Sequence, residues 1–179
     1  MKDGLFKTIL YTILGIGIMT AIMTLTSMTT PFEGVYIQFA YGYLALFAGV
    51  AGAIPAAIVG FTGHVLFDLI YTDHLWLSWA LSTGALGFVF GFAIRRKSLR
   101  QGVFSQHDMI RFNVVQAVVN IAIFGLIAPT LDVLFYQHST TIVFTQGWIA
   151  SIINLLTVAV FGTITLKLYA NYKLKQNKQ

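Results

Sequence analysis

The chain contains no cysteine, which excludes disulfides, thiolate metal sites and cysteine nucleophiles. Charge is also scarce. Asp, Glu, Lys and Arg make up 9% of the 179 residues, against about 25% in an average soluble domain. That is too little to solvate a globular surface, so a free-standing soluble enzyme does not fit. Chemistry-bearing motifs are missing too: there is no G-x-x-x-x-G-K-[ST], no H-E-x-x-H, no G-x-S-x-G and no dinucleotide glycine fingerprint. Without a phosphate loop the chain has no familiar means of hydrolysing ATP, and uphill movement of a solute would draw on an ion gradient or another subunit. Ion-coupled carriers are commonly built from paired repeats, and no repeat is evident here. The small size favours a subunit with partners.

What the chain does have is apolar length. Hydrophobic residues make up 57% of it, the mean hydropathy is +0.78, and the few charges leave long gaps. Lys7 and Glu33 enclose 25 uncharged residues, Glu33 and Asp68 enclose 34, Asp73 and Arg95 enclose 21, Arg111 and Asp132 enclose 20, and Asp132 and Lys167 enclose 34. A membrane-spanning helix needs about 20 apolar residues. The second gap is interrupted by Gly49, Gly52 and Pro55, which predict two shorter helices joined by a tight turn. The reading is an all-α membrane protein with six transmembrane helices, at about 6–29, 37–50, 53–71, 76–94, 109–128 and 142–168, forming one integral membrane domain over 1–179.

Orientation follows from the positive charges, which accumulate on the cytoplasmic side of membrane proteins. With six helices and both termini cytoplasmic, all 11 Lys and Arg residues fall inside, while Glu33, Asp73 and Asp132 fall outside and Asp68 lies just beneath the outer surface. The pI of about 9.6 is then a topological signal, and no nucleic-acid partner is implied. A cleaved signal peptide is the alternative for the N-terminal run, but the stretch from Thr8 to Met28 exceeds the usual 7–15 residue apolar core.

Several polar residues sit within these apolar segments. His64 and Asp68 are four residues apart, on one helical face. Three readings are open: an internal pair locking helices together, polar walls of a cavity open to the outside, or a metal site, for which two ligands are too few. Asn113, Gln116 and Asn120 form an amide stripe on the fifth helix, joined by Gln146 and Asn154 on the sixth and Gln38 on the second. Amides offer donors and acceptors without charge, which suits a heterocycle that must be gripped and released; hydrogen bonding between helices is the other use. Asn120, Gln146 and Gln38 are the expected ligand contacts, and Asn113 the structural one. The tryptophans Trp76, Trp79 and Trp148 and several tyrosines lie in the outer third, as an interfacial belt would require. Trp79 and Tyr41 are the two expected to turn inward and stack on a flat ligand. Small residues line Gly17-x-x-x-Ala21 on the first helix and Gly84, Gly87 and Gly91 on the fourth, suited either to internal packing or to docking on another membrane subunit.

At these residues a resemblance emerges. The passages Ile37 to Ala48, Gly60-Phe61-Thr62-Gly63-His64 with Asp68, Leu75-Trp76-Leu77-Ser78-Trp79, Phe112 to Gln116, Ala128 to Asp132 and Phe144-Thr145-Gln146-Gly147 resemble, in order, the riboflavin-type S components of energy-coupling factor (ECF) transporters. The resemblance extends from about Pro31 to Tyr169. It implies a multi-pass subunit of a bacterial plasma membrane that captures a vitamin from outside, with riboflavin the first choice and thiamine-like, pyridoxine-like or nucleobase-derived ligands as alternatives. It implies as partners a membrane scaffold subunit (T) and two cytoplasmic ATPase subunits that use the ATP, with no cofactor, metal or catalytic residue in this chain. The family's small docking face corresponds here to Gly17 and Ala21, with glycine in place of one alanine. The vitamin pocket is expected in the outer half under the first loop, about 29–36, and release is expected to follow rotation of the subunit in the membrane. The competing readings are an intramembrane enzyme using His64 and Asp68, and a membrane adaptor that transports nothing.

Overall fold

A computed structural model describes residues 2–72 and 74–179, with side chains from Leu5 onward. Asp73, one of the acids expected outside, lies beyond the described residues, as do the side chains of Lys2 and Asp3. The chain is a helical bundle: α1 (Lys2–Thr26), α2 (Ala40–Ala51), α3 (Ala53–Phe67), α4 (Leu77–Ala93), the short α5 (Arg96–Arg100), α6 (Gln106–Ala122), α7 (Ala128–Tyr136), α8 (Thr140–Thr157) and α9 (Thr163–Gln176). Five-residue π-turns extend α3 through Thr72, fuse α6 to α7 and fuse α8 to α9. Four of the resulting rods, Leu5–Thr26, Ala53–Thr72, Gln106–Tyr136 and Thr140–Gln176, are long and apolar enough to cross a membrane, while α2 and α4 are shorter apolar helices.

The surface explains the composition. Leu5, Phe6, Ile9, Ile13 and Leu14 on α1, Ile110, Val114 and Val118 on α6, and Leu156 and Ile164 on the last rod all face outward. An apolar exterior of that extent is unsuited to water and suited to lipid. The interior is built from Met19, Met23, Leu44, Phe67, Phe90, Phe112, Phe124 and Leu166. The pair α3 and α4 packs most extensively, and the glycines of α4 permit it: a Cβ on Gly87 would meet the Ala56 carbonyl oxygen at 2.5 Å, and one on Gly84 would meet Phe61 Cβ at 3.0 Å. The α4 small-residue line is therefore internal packing. Gly17 differs, since a Cβ there would meet nothing within 4 Å, and both it and Ala21 are exposed.

The turn between α2 and α3 sits where the glycines and proline indicated. Gly52 has φ +102°, a conformation closed to other residues, and its N–H donates to Ala48 O at 2.9 Å. Arg96 donates from Nη2 to the Val50 and Ala51 carbonyls at 3.1 and 2.9 Å, and Arg100 donates to Val50 O at 2.8 Å. These guanidinium groups satisfy the orphan carbonyls at the C-terminus of α2 and complement its dipole.

Four expected boundaries need correction. The first helix stops at Thr26 and not 29, and the second starts at Ala40 and not 37. Between them Met28–Thr29 pairs antiparallel with Tyr36–Ile37, in the register Met28 to Ile37 and Thr29 to Tyr36. Two-residue strands carry too little periodicity to be seen in sequence. The fifth helix, expected to end at 128, runs on through Pro129 to Tyr136. Pro129 follows directly on the π-turn Ile123–Ile127, and the wider turn accommodates a residue that lacks an N–H and crowds the preceding turn. The sixth helix likewise extends beyond 168, to Gln176.

Candidate functional site

A cavity of about 190 Å³ opens at the end of the bundle that carries the hairpin. The other end of α2 is the one held by Arg96 and Arg100, so its 12 residues, about 18 Å, separate the cavity from the basic clamp. Gln38 and Tyr41 enter the cavity from the start of α2, His64, Phe67 and Asp68 from the end of α3, and Trp76 and Trp79 from the start of α4. Gln146, Ala150 and Asn154 contribute one face of α8, and Glu33 to Tyr36 form the rim.

The polar groups are held by identifiable partners. His64 Nδ1 lies 2.7 Å from Thr83 Oγ1, and Thr83 Oγ1 donates to Trp79 O at 3.0 Å. With its one proton spent there, the hydroxyl accepts from His64 Nδ1–H. His64 Nε2 then faces Asp68 Oδ1 at 3.5 Å, and Trp76 N–H donates to Asp68 Oδ2 at 2.9 Å. Asp68 opens the π-turn that ends its helix, so its carboxylate projects where the regular helical ladder loosens. Trp79 Nε1 donates to Asp132 Oδ2 at 2.8 Å, Ser78 Oγ donates to the other oxygen of the same carboxylate, and the indole stacks on Phe124 at 5.9 Å between centroids. Tyr41 packs on the same ring, edge-on to Phe124 at 5.6 Å.

The rim is fastened as well. Gln146 Nε2 donates to Glu33 O at 2.8 Å, Gln38 Nε2 donates to Ser27 Oγ at 2.8 Å, and Thr30 Oγ1 donates to Val35 O at 2.8 Å. Tyr36 stands edge-on to Phe67 and Tyr71 at 6.1 and 5.7 Å. Partial burial, reinforced by Tyr71, Asp68 and Glu33, raises the Tyr36 hydroxyl above its ordinary value, so it remains a neutral donor at physiological pH.

Six of the seven residues expected in a ligand site, Gln38, Tyr41, His64, Asp68, Trp79 and Gln146, line this one cavity. Asn120 does not. It is fully buried, and its Nδ2 donates to Gln116 O at 2.9 Å and Gln116 Oε1 at 3.0 Å. The amide stripe of α6 faces the bundle interior: Gln116 Nε2 donates to Leu155 O, and Asn113 Nδ2 donates to Thr163 Oγ1. Asn154 lines the cavity in its place; its signal was its position two helical turns beyond Gln146. Asp132, expected only as an outer acid, is fully buried beneath Trp79. No spacing rule joins residues 53 apart. Among the described residues no three His, Asp or Glu side chains are grouped to hold a metal ion.

An all-α bundle with four rods long and apolar enough to cross a membrane fits the membrane protein that the resemblance implied, and the family model for the ECF-type riboflavin transporter S component matches residues 6–171. The chain belongs to that family. This S component has curated relatives that are named UPF0397 proteins. The one from Lactococcus lactis subsp. cremoris (strain NZ9000) is 40% identical over 175 residues, covering 98% of this chain and 96% of the relative. The one from Enterococcus faecalis (strain ATCC 700802 / V583) is 37% identical over 169 residues, covering 92% of both, and the one from Staphylococcus aureus (strain JH9) is 34% identical over 169 residues, again covering 92% of both. No solved structure matches. Family members are substrate-binding components of bacterial membrane transporters, not enzymes, and work with a T component and ATPases.

Proposed function

We propose that the chain spans a bacterial plasma membrane six times, with both termini cytoplasmic, and captures a vitamin or related small heterocycle from outside. Riboflavin, which the family name carries, is the first compound to test; thiamine-like, pyridoxine-like and nucleobase-derived compounds follow. The observation that carries this reading is the cavity at the hairpin end, where amides, a His–Asp pair and an oriented indole converge under a fastened loop. The helix α2 is about 18 Å long, short of a hydrocarbon core of about 30 Å. The space beyond its outer end is where the cavity lies, and irregular backbone at membrane depth is tolerated where it lines such a cavity.

In this reading the ligand enters from outside, the rim loop closes, and the Gln38, Gln146 and Asn154 amides replace its hydration while Tyr41 and Trp79 stack on it. The chain docks through Gly17 and Ala21 on the T subunit, and two cytoplasmic ATPases supply the energy for turning the cavity inward. An exterior almost free of charge lowers the cost of that movement. No cofactor and no catalytic step belong to this chain.

Purified protein is expected to hold a vitamin stoichiometrically and release it chemically unchanged, as read by native mass spectrometry and an absorbance spectrum. A converted product would replace this reading with the enzyme, and the absence of any small ligand would replace it with the adaptor. Gln146→Leu removes the bond to the Glu33 carbonyl. A neutral hydrogen bond contributes about 0.5–1.5 kcal/mol, so the ligand is expected to leave about two- to tenfold faster, measured by dilution of labelled ligand.

A further inference from the structure

The charge inventory of the cavity narrows the ligand. Glu33 and Asp68 bring two carboxylates to the lining, and among the described residues no lysine or arginine lies on it. Asp68 is 2% exposed, accepts one backbone N–H, and faces a histidine whose Nδ1 is already engaged with Thr83. Among the described residues this carboxylate pairs with no lysine or arginine, only with the imidazole of His64, and a weakly compensated carboxylate is costly in a low-dielectric setting. An approaching anion would meet these carboxylates and no lysine or arginine among the described lining residues. Two backbone donors at the start of α4, Trp76 N–H and Leu77 N–H, are taken by Asp68 Oδ2 and Tyr136 Oη at 2.9 Å each, which leaves this helix N-terminus fewer donors for a phosphate or carboxylate. Trp79 has its only polar edge turned to Asp132 and offers the cavity its ring. Aromatic rings attract cations through their quadrupole, most strongly where water is excluded.

We propose, resting on the substrate-capture reading above, that the cavity takes a small flat heteroaromatic compound carrying positive charge, with Asp68 as its counter-ion and Trp79 as its stacking surface. A cation entering this site neutralises Asp68, gains from the indole, and lies in the field of Glu33 at the rim. A neutral isoalloxazine gains only the stacking and leaves Asp68 as it was. A phosphorylated ligand meets two like charges. Membership of a family named for riboflavin thus does not make riboflavin the ligand that these side chains fit best.

The test is a calorimetric titration of the detergent-solubilised full chain with compounds that differ in charge: thiamine and pyridoxamine as cations, riboflavin and pyridoxine as neutral compounds, flavin mononucleotide and pyridoxal phosphate as anions. The better cation is expected to bind at least tenfold more tightly than either neutral compound, and the anions not measurably. Asp68→Asn is expected to weaken the cation at least tenfold while changing a neutral compound less than twofold. Glu33→Gln, on the exposed rim where folding does not depend on it, is expected to weaken the cation two- to fivefold. Tighter binding of riboflavin or pyridoxine, or a cation affinity indifferent to both substitutions, would overturn the proposal and leave the capture reading standing. If no compound bound and none co-purified, both would fall.

Discussion

Replacing Gly17 and Ala21 together by leucine is expected to abolish uptake in cells while leaving ligand affinity of the isolated subunit within twofold of its starting value. The two effects separate because the two surfaces do. α1 is the most peripheral of the four long rods, with 22% of its apolar window buried against 39% in each of the others. Gly17 and Ala21 lie on its outward face, and no atom of the bundle waits within 4 Å of a Gly17 Cβ. Neither residue lines the cavity. Without a hydrophobic driving force between helices in lipid, close packing of small residues provides the association energy. Overpacking costs about 1–3 kcal/mol per site, so two leucines would weaken docking on the T subunit by about thirtyfold to ten-thousandfold. Gly15→Leu is the informative contrast. A Cβ at Gly15 would meet Phe47 Cε2 at 2.5 Å and Val59 Cγ2 at 2.9 Å, so that substitution should lower the melting temperature of the isolated chain, whereas the Gly17 and Ala21 pair should not. Normal uptake in the double variant would remove this docking face.

The contrast between Gly15 and Gly17 also marks how far sequence could lead. Charge gaps and the glycine-proline interruption at 49–55 were legible because lipid imposes length and Gly52 imposes a conformation. The approach of His64 and Asp68 was legible because both sit on one helix four residues apart. Six lining residues could be named because polar groups in apolar helices are costly and therefore informative. Their destinations were less legible. Asn120 and Asn154 are both amides in apolar rods, yet one bonds to Gln116 on its own helix and the other reaches the cavity, a difference set by helix rotation within the bundle. Nothing in the spacing of one rod reports its rotation against another. The hairpin between α1 and α2 and the passage through Pro129 were missed for related reasons: two-residue strands have no measurable period, and a π-turn has no sequence signature that distinguishes it from an ordinary turn. Asp132 was the largest omission, since it looked like one more outer charge and instead holds the indole that lines the cavity.

Asp132→Leu is expected to weaken ligand binding by about ten- to hundredfold, although Asp132 does not line the cavity. The carboxylate accepts from Ser78 Oγ and from Trp79 Nε1, one on each oxygen. Leucine is close to aspartate in shape and carries no acceptor, so both bonds are lost, that to the indole included. Hydrogen bonds to charged groups contribute about 1.5–3 kcal/mol, and the loss falls on the side chain that presents the stacking surface. Freed from Asp132, the Trp79 ring is expected to sample other rotamers, with a weaker near-ultraviolet circular dichroism signal. A purely structural role for Asp132 would lower the melting temperature by the same route, so stability alone cannot identify it as a positioning residue. The discriminating measurement is a double-mutant cycle with Trp79→Phe, which keeps a ring but loses the indole donor. If Asp132 acts on the ligand through Trp79, adding Asp132→Leu to Trp79→Phe should cost little further affinity, giving a coupling of more than about 1 kcal/mol. Additive losses would mean that Asp132 supports the cavity by some path other than the indole, and the assignment of Trp79 as the oriented stacking surface would lose its physical basis.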